Sequence, residues 1–171
     1  MFLLETVDPE KAQGKVAEAY SIFKNFGAPI PLRLLSASPD LQERQTAMIG
    51  YFMGHPRLSP GLLASIRFAI ASKTGHLACE ALNRDILGRM GVNEQEIAGL
   101  PTGAAETPLE ESEEALFRFV LRSFDDPASA NARDIQALRA LGWQDADILD
   151  AMFHAAGMLA SSVLFKTFVR A

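Results

Sequence analysis

The chain has one cysteine, Cys79, with His76 three residues before it and Asn83 four residues after it, in the stretch KTGHLACEALNRDILGRMG from Lys73 to Gly91. On a helix these spacings put all three side chains on one face. A cysteine in the first turn of a helix sees the partial positive charge of the unpaired N–H groups, which favours thiolate and lowers its pKa. His76 can add a positive charge or a hydrogen bond. Cys79, His76 and Asn83 are therefore the candidate catalytic residues of a thiol site. The plainer reading makes Cys79 a small core residue among Leu77, Ala78 and Leu82, because free cysteines are among the most buried residue types. Spacing alone leaves both open.

The elements that must position this patch read as helices. Asp8 caps and Pro9 opens a first helix running to about Asn25, with Val16, Ala19, Tyr20 and Phe23 as its apolar stripe. APIPLRLL is turn-rich, with room for one short turn of helix. Ser38-Pro39 opens a helix that carries Leu41, Met48, Ile49 and Phe52 inward and ends near Gly54. Ser59-Pro60 opens another, apolar almost all round from Leu62 to Ile70, which should be central and buried. Lys73-Thr74-Gly75 interrupts it, and a helix from about His76 to Met90 follows, closed by Gly91. Asn93 and Glu96 form a capping box. Leu100 to Thr107 reads as a surface loop. Helices then run from about Pro108 to Phe124, from Ala130 to Leu141, and from Asp145 to Val169, with Trp143 anchoring the last and Gln144 and Asp145 capping it.

No segment sustains period-2 alternation. The expectation is an all-α bundle of seven or eight helices in a single domain, residues 1–171, with the 100–107 loop able to separate two lobes. The 171 residues suffice for one well-buried core. Net charge is −5, and no run of Lys or Arg would track a phosphate backbone, so nucleic acid is not an expected partner. The start, MFLLETVDPEKAQG, lacks a basic region and reads as a docked arm rather than a signal peptide. The longest apolar stretch reads as lying around Leu62 to Ser72, broken by Arg67 and too short for a membrane span. A lone cysteine fits a reducing, cytoplasmic setting. The acidic run from Glu106 to Glu114 reads as a solvated helix start, His55 as a solvated loop histidine, and no Cys/His/Asp/Glu set has metal-ligand spacing. No cofactor is expected.

The order of segments resembles the AhpD-like superfamily, which holds alkylhydroperoxidase D, the carboxymuconolactone decarboxylases and many "peroxidase-related" proteins. The residues that carry the resemblance are AQGKVAEAY (Ala12 to Tyr20), SASPDLQ (Ser36 to Gln42), the signature region from Leu58 to Ile97, and the stretch from Glu113 to Ala156 with its LRALG segment. Together they cover most of the chain. The resemblance implies an AhpD-like fold and a homo-oligomer, with which the Ala/Gly/Ser-rich last helix is compatible.

Peroxidases of that family use a Cys-x-x-Cys pair, a histidine four residues after the second cysteine, and a glutamate about one helix upstream. By resemblance Cys79 matches the second, peroxide-attacking cysteine. His76 stands at the first-cysteine position and Asn83 at the histidine position. The glutamate would fall near Ala64, and no Asp or Glu occurs between Glu43 and Glu80. A dithiol cycle cannot close within such a chain. His154 on the last helix is a candidate for rebuilding the relay, with a half-buried helix histidine as its plainer reading. The decarboxylase branch would need a basic group for a carboxylate, for which Arg67, Arg84 and His76 are candidates. Arg67, inside an apolar helix, is the more notable, with snorkelling or a structural ion pair as its plainer reading.

The sequence thus points to an AhpD-like protein with a degenerate site and absent or weak dithiol peroxidase chemistry. If it is an enzyme, it is a peroxidase-related oxidoreductase, with a one-cysteine reaction resolved by an external thiol reductant. The alternative is a non-catalytic small-molecule-binding or oligomeric scaffold protein. A buried Cys79 without a polar cleft favours the scaffold, and an exposed one beside a pocket favours an enzyme.

Overall fold

The computed structural model describes residues 1–23, 27–103 and 107–170. The described residues are helical throughout, with nine α-helices, three short 3-10 turns and one isolated β-bridge. Two of the nine helices are only six residues long. The chain forms two compact units, Met1–His55 with Val163–Ala171, and Pro56–Ser162.

In the first unit the expected opening helix is split. Asp8 caps a 3-10 turn, Pro9–Lys11, and the chain turns extended at Ala12 before α1, Gly14–Ser21. The break falls where Gly14 takes φ +52, a left-handed value that glycine adopts freely. The expected end at Asn25 lies outside the described residues. Val16, Tyr20 and Leu32 form a small core, and the Tyr20 hydroxyl donates to the Val7 carbonyl at 2.9 Å. Leu32 belongs to α2, Ile30–Leu35, the short turn of helix for which the sequence leaves room.

α3 spans Pro39–Met53 and ends at Gly54. Its inward face differs from the expected one, because Leu41 is 49% exposed while Gln42 is fully buried. The covered side runs through Gln42, Thr46, Ile49 and Phe52, and Leu41 falls about 100° away from it. Gln42 belongs inside because its Nε2 donates to the Leu32 carbonyl at 3.0 Å, satisfying a helix-end acceptor. The N-terminal arm docks as expected, with Phe2 bridging Val169 and the Leu3 N–H donating to the Phe168 carbonyl at 2.9 Å.

The second unit is built on α4, Pro60–Thr74. Ser59 caps it by accepting from the Leu62 N–H at 3.0 Å. Leu62, Ala64, Ile66, Ala69, Ile70 and Ala71 have no exposed surface and Phe68 has 1%, so this helix is the core, as its all-round apolar pattern requires. Each fully buried Leu, Ile or Phe contributes about 1.5–3 kcal/mol. Around it pack α5 (Leu77–Arg89), α6 (Glu94–Gly99, with both halves of the Asn93–Glu96 capping box) and α7 (Glu111–Asp125). α7 starts three residues later than expected, and Glu111, Glu113 and Glu114 occupy its first turn, where the helix dipole favours acids. Glu106, the start of that acidic run, lies outside the described residues.

α8 spans Ala132–Ala140 behind an Asn131–Asp134 capping box. α9 spans Asp145–Phe168. Trp143 at its start is buried, and its indole N–H donates to the Ser112 carbonyl at 2.8 Å. Buried Asp147 closes the helix start by accepting from the Gln144 N–H at 2.8 Å and from Arg57 Nε at 2.7 Å. Gln144 is therefore the capped position, and Asp147, rather than Asp145, supplies the carboxylate. α9, not the Leu62–Ser72 stretch, is the longest apolar element. By length and composition it could cross a membrane, with a mean hydropathy of 1.6 over its most apolar window.

Candidate functional site

The site is set by the corner between α4 and α5. Gly75 takes φ +63 and ends α4, which places its N–H and that of His76 over the last carbonyls of the helix, His76 N to Ala71 O being 2.8 Å. A side chain with a Cβ would be strained there. His76 becomes the N-cap residue of α5, one position earlier than a helical residue, and its ring turns inward. Cys79 is the third residue of α5, so the first-turn placement expected from the sequence holds.

His76 and Cys79 touch, with Nε2 to Sγ at 3.3 Å. Both are buried, His76 at 1% exposure and Cys79 at 8%. Asn83, at 2%, donates from Nδ2 to the Cys79 carbonyl at 2.8 Å. Its other end, Oδ1, accepts from Arg67 Nε at 2.7 Å. Arg67 Nη1 lies 3.2 Å from His154 Nε2. Arg67 can only donate, so His154 Nε2 must be the acceptor, and the ring is a neutral imidazole. Its hydrogen bond to the Leu63 backbone fits the same tautomer.

Arg67 is the centre of this cluster. Its hydrogen-bonding partners are two neutral side chains and no carboxylate pairs with it among the described residues, so the ion-pair reading finds no partner, while its half-buried position is compatible with a snorkelling side chain. Burial pushes its guanidinium down to about 10, with the nearby Cys79 acting in the opposite sense. Burial and then the charge of Arg67 press His154 down to about 3. At Cys79 burial pushes the thiol up to about 11, against the pull of Arg67.

The other candidates have their own partners. Arg84 pairs with Glu94 and stacks over the Phe68 ring at 5.3 Å. His55 is half-buried and meets the Tyr51 ring edge-on at 5.7 Å. Ala64 is fully buried one turn before Arg67, so the position the resemblance gives to an acid is core here. A groove of about 480 Å³ runs between α7 and α8, and none of the five cluster residues lines it. Its cations are already paired, Lys73 with Asp125 and Arg122 with Asp134, each at 2.6 Å, and Arg118 with Glu114.

Sequence reasoning singled out Arg67 and His154 separately but not their link through Asn83. The available signal was a single cation in an otherwise apolar helix, with no acid within reach in the sequence.

No family profile matches the chain, and no curated protein matches it. Solved structures do. An uncharacterised peroxidase-related protein from Silicibacter sp. superposes with a TM-score of 0.80 at 19% identity, over 96% of this chain and 87% of its own. A second, from Ralstonia eutropha, described as an alkylhydroperoxidase AhpD core and an uncharacterised peroxidase-related protein, gives 0.80 at 17% identity, over 96% and 88%. At these identities the likeness establishes the fold, which is the AhpD-like all-α fold expected from the sequence.

Proposed function

We propose that this chain is a small-molecule-binding protein on the AhpD-like fold, that it does not run a dithiol peroxidase cycle, and that its ligand engages the polar cluster around Arg67. The observation that carries this reading is the state of Cys79. It is the only thiol in the chain, it is buried, and that burial pushes its pKa up and disfavours the thiolate. A peroxidase needs thiolate at working pH and a second sulfur to close its cycle. The cluster instead offers a cation held by neutral partners, an arrangement suited to binding.

One observation favours a second reading. His76 Nε2 is close enough to accept the Cys79 proton, and the charge of Arg67 favours the thiolate. In a one-cysteine reaction the Cys79 thiolate attacks the terminal oxygen of a hydroperoxide. The O–O bond breaks, the alcohol leaves and a sulfenic acid forms. An external thiol displaces water to give a mixed disulfide, and a second thiol releases Cys79 and leaves as the oxidised reductant. Steady-state hydroperoxide consumption with excess dithiothreitol separates the readings. The binding account expects a rate no greater than that of Cys79→Ser. A rate well above it establishes the one-cysteine reaction.

A homo-oligomer in a reducing cytoplasm completes the proposal. From Ala151 to Phe165 α9 has no Asp, Glu, Lys or Arg, and Leu149, Phe153 and Leu159 are exposed. Asp147, Ile148, Ala151, Ala155 and Met158 are buried against protein, which supports a second copy rather than lipid on the bare side. Light scattering showing a clean monomer at micromolar concentration would remove the oligomer.

A further inference from the structure

We propose that the free side of the Arg67 guanidinium is a receptor for a small planar monoanion, a carboxylate or an inorganic oxyanion of the same shape, and that its occupancy sets the reactivity of Cys79. The proposal rests on the ligand-binding reading above and names the chemistry of the ligand.

Three observations lead to it. An arginine carries five N–H groups in one plane. Nε–H is taken by Asn83 and one Nη1–H by His154. The second Nη1–H and both Nη2–H groups have no protein partner among the described residues. They form the end-on fork that two oxygens of a planar anion fill with parallel hydrogen bonds. Arg67 is half-buried and Nη2 is not among the fully buried atoms lacking a partner, so that edge of the guanidinium keeps some exposure.

Charge is the second observation. The helix that carries Arg67 has no acid, and the side chains that hold it are neutral. A half-buried cation without a carboxylate attracts a counter-ion more strongly than a solvated one. Because His154 accepts from Arg67, it adds no positive charge. One charge on the guanidinium matches a monoanion better than a phosphate dianion.

The third is the coupling to Cys79. Asn83 accepts from Arg67 Nε and donates to the Cys79 carbonyl, so the guanidinium sits one side chain from the thiol segment, and its charge favours the thiolate. An anion on the fork cancels that field, so a filled site makes Cys79 less acidic and slower to react.

The test uses the full chain with 15N-labelled arginine, its guanidinium resonances followed during titration with formate, nitrate, chloride and neutral formamide at matched ionic strength. Formate is expected to move the Arg67 Nη resonances to saturation, and formamide is expected to leave them in place. A matching response to nitrate shows that an inorganic oxyanion serves equally, while a response to formate alone restricts the ligand to carboxylates. Formate should also lower the rate of Cys79 alkylation in the wild type and not in Arg67→Gln. An equal response to chloride overturns the proposal, because the fork then has no shape preference. An equal response to formamide overturns it while leaving the ligand-binding reading intact. No movement with any probe removes both. If Arg67→Gln does not fold, the titration of the wild type decides alone.

Discussion

Arg67 and Asn83 are joined at 2.7 Å, Nε to Oδ1, and this bond ties a cation of the central helix to a neutral amide rather than to an acid. It places a charge in the second unit that no carboxylate among the described residues pairs with. The same amide holds the Cys79 carbonyl through its nitrogen, so one asparagine links the guanidinium to the thiol segment.

An unbalanced buried charge costs stability. Burial lowers the pKa of Arg67, so its charge is disfavoured in the folded state across the working pH range. Arg67→Gln removes the charge and keeps an amide able to donate. Its melting temperature is expected to match or exceed that of the wild type by differential scanning calorimetry. A fall of about 10 °C or more, several kcal/mol for a chain of this size, would make Arg67 a structural tie rather than a binding group.

His154 gives the chain an acid-sensitive term. Its folded pKa of about 3 lies below the ordinary 6.5. The unfolded chain therefore takes up this proton first, and stability is lost as pH falls from about 6.5 toward 3. The slope from this one group is at most about 1.4 kcal/mol per pH unit. His154→Gln keeps an acceptor for Arg67 and removes the titration. In urea unfolding the gap between wild type and variant should narrow steadily across that window. Parallel curves would place His154 in solvent.

Asp147 has no part in the cluster but fixes the helix that carries His154. It is 3% exposed and accepts from both Arg57 Nε and the Gln144 N–H. Asp147→Ala removes the carboxylate that Arg57 Nε and the Gln144 N–H both donate to and is expected to cost about 2–4 kcal/mol. Asp147→Asn, which keeps an acceptor, should cost less. Equal losses for the two would mean that packing, not hydrogen bonding, is what the carboxylate supplies.

Helix boundaries were legible wherever a cap and a proline or glycine coincided. Ser59-Pro60 and Gly75 delimit α4, and Asn93 with Glu96 opens α6, as read from the chain. Asp8-Pro9 gave the same signal and misled, because the helix it opens stops after one 3-10 turn and Gly14 redirects the chain. The inward face of α3 was misjudged because hydropathy ranks Leu41 above Gln42, whereas a free carbonyl on α2 needed the amide. At the site, local spacing was sufficient to place His76 against Cys79. The Arg67–Asn83 and Arg67–His154 bonds span 16 and 87 residues, so they depend on packing that no local pattern encodes.

The most direct measurement is the rate of Cys79 alkylation against pH in the folded protein, with Cys79→Ser as background. The account expects slow labelling at neutral pH, a midpoint near 11, well above the ~8.5 of a free thiol, and a higher midpoint still in Arg67→Gln, where the cation that favours the thiolate is gone. Fast labelling with a midpoint below ~8.5 would contradict it, because Cys79 would then be an activated nucleophile and the one-cysteine reaction the better description of the protein.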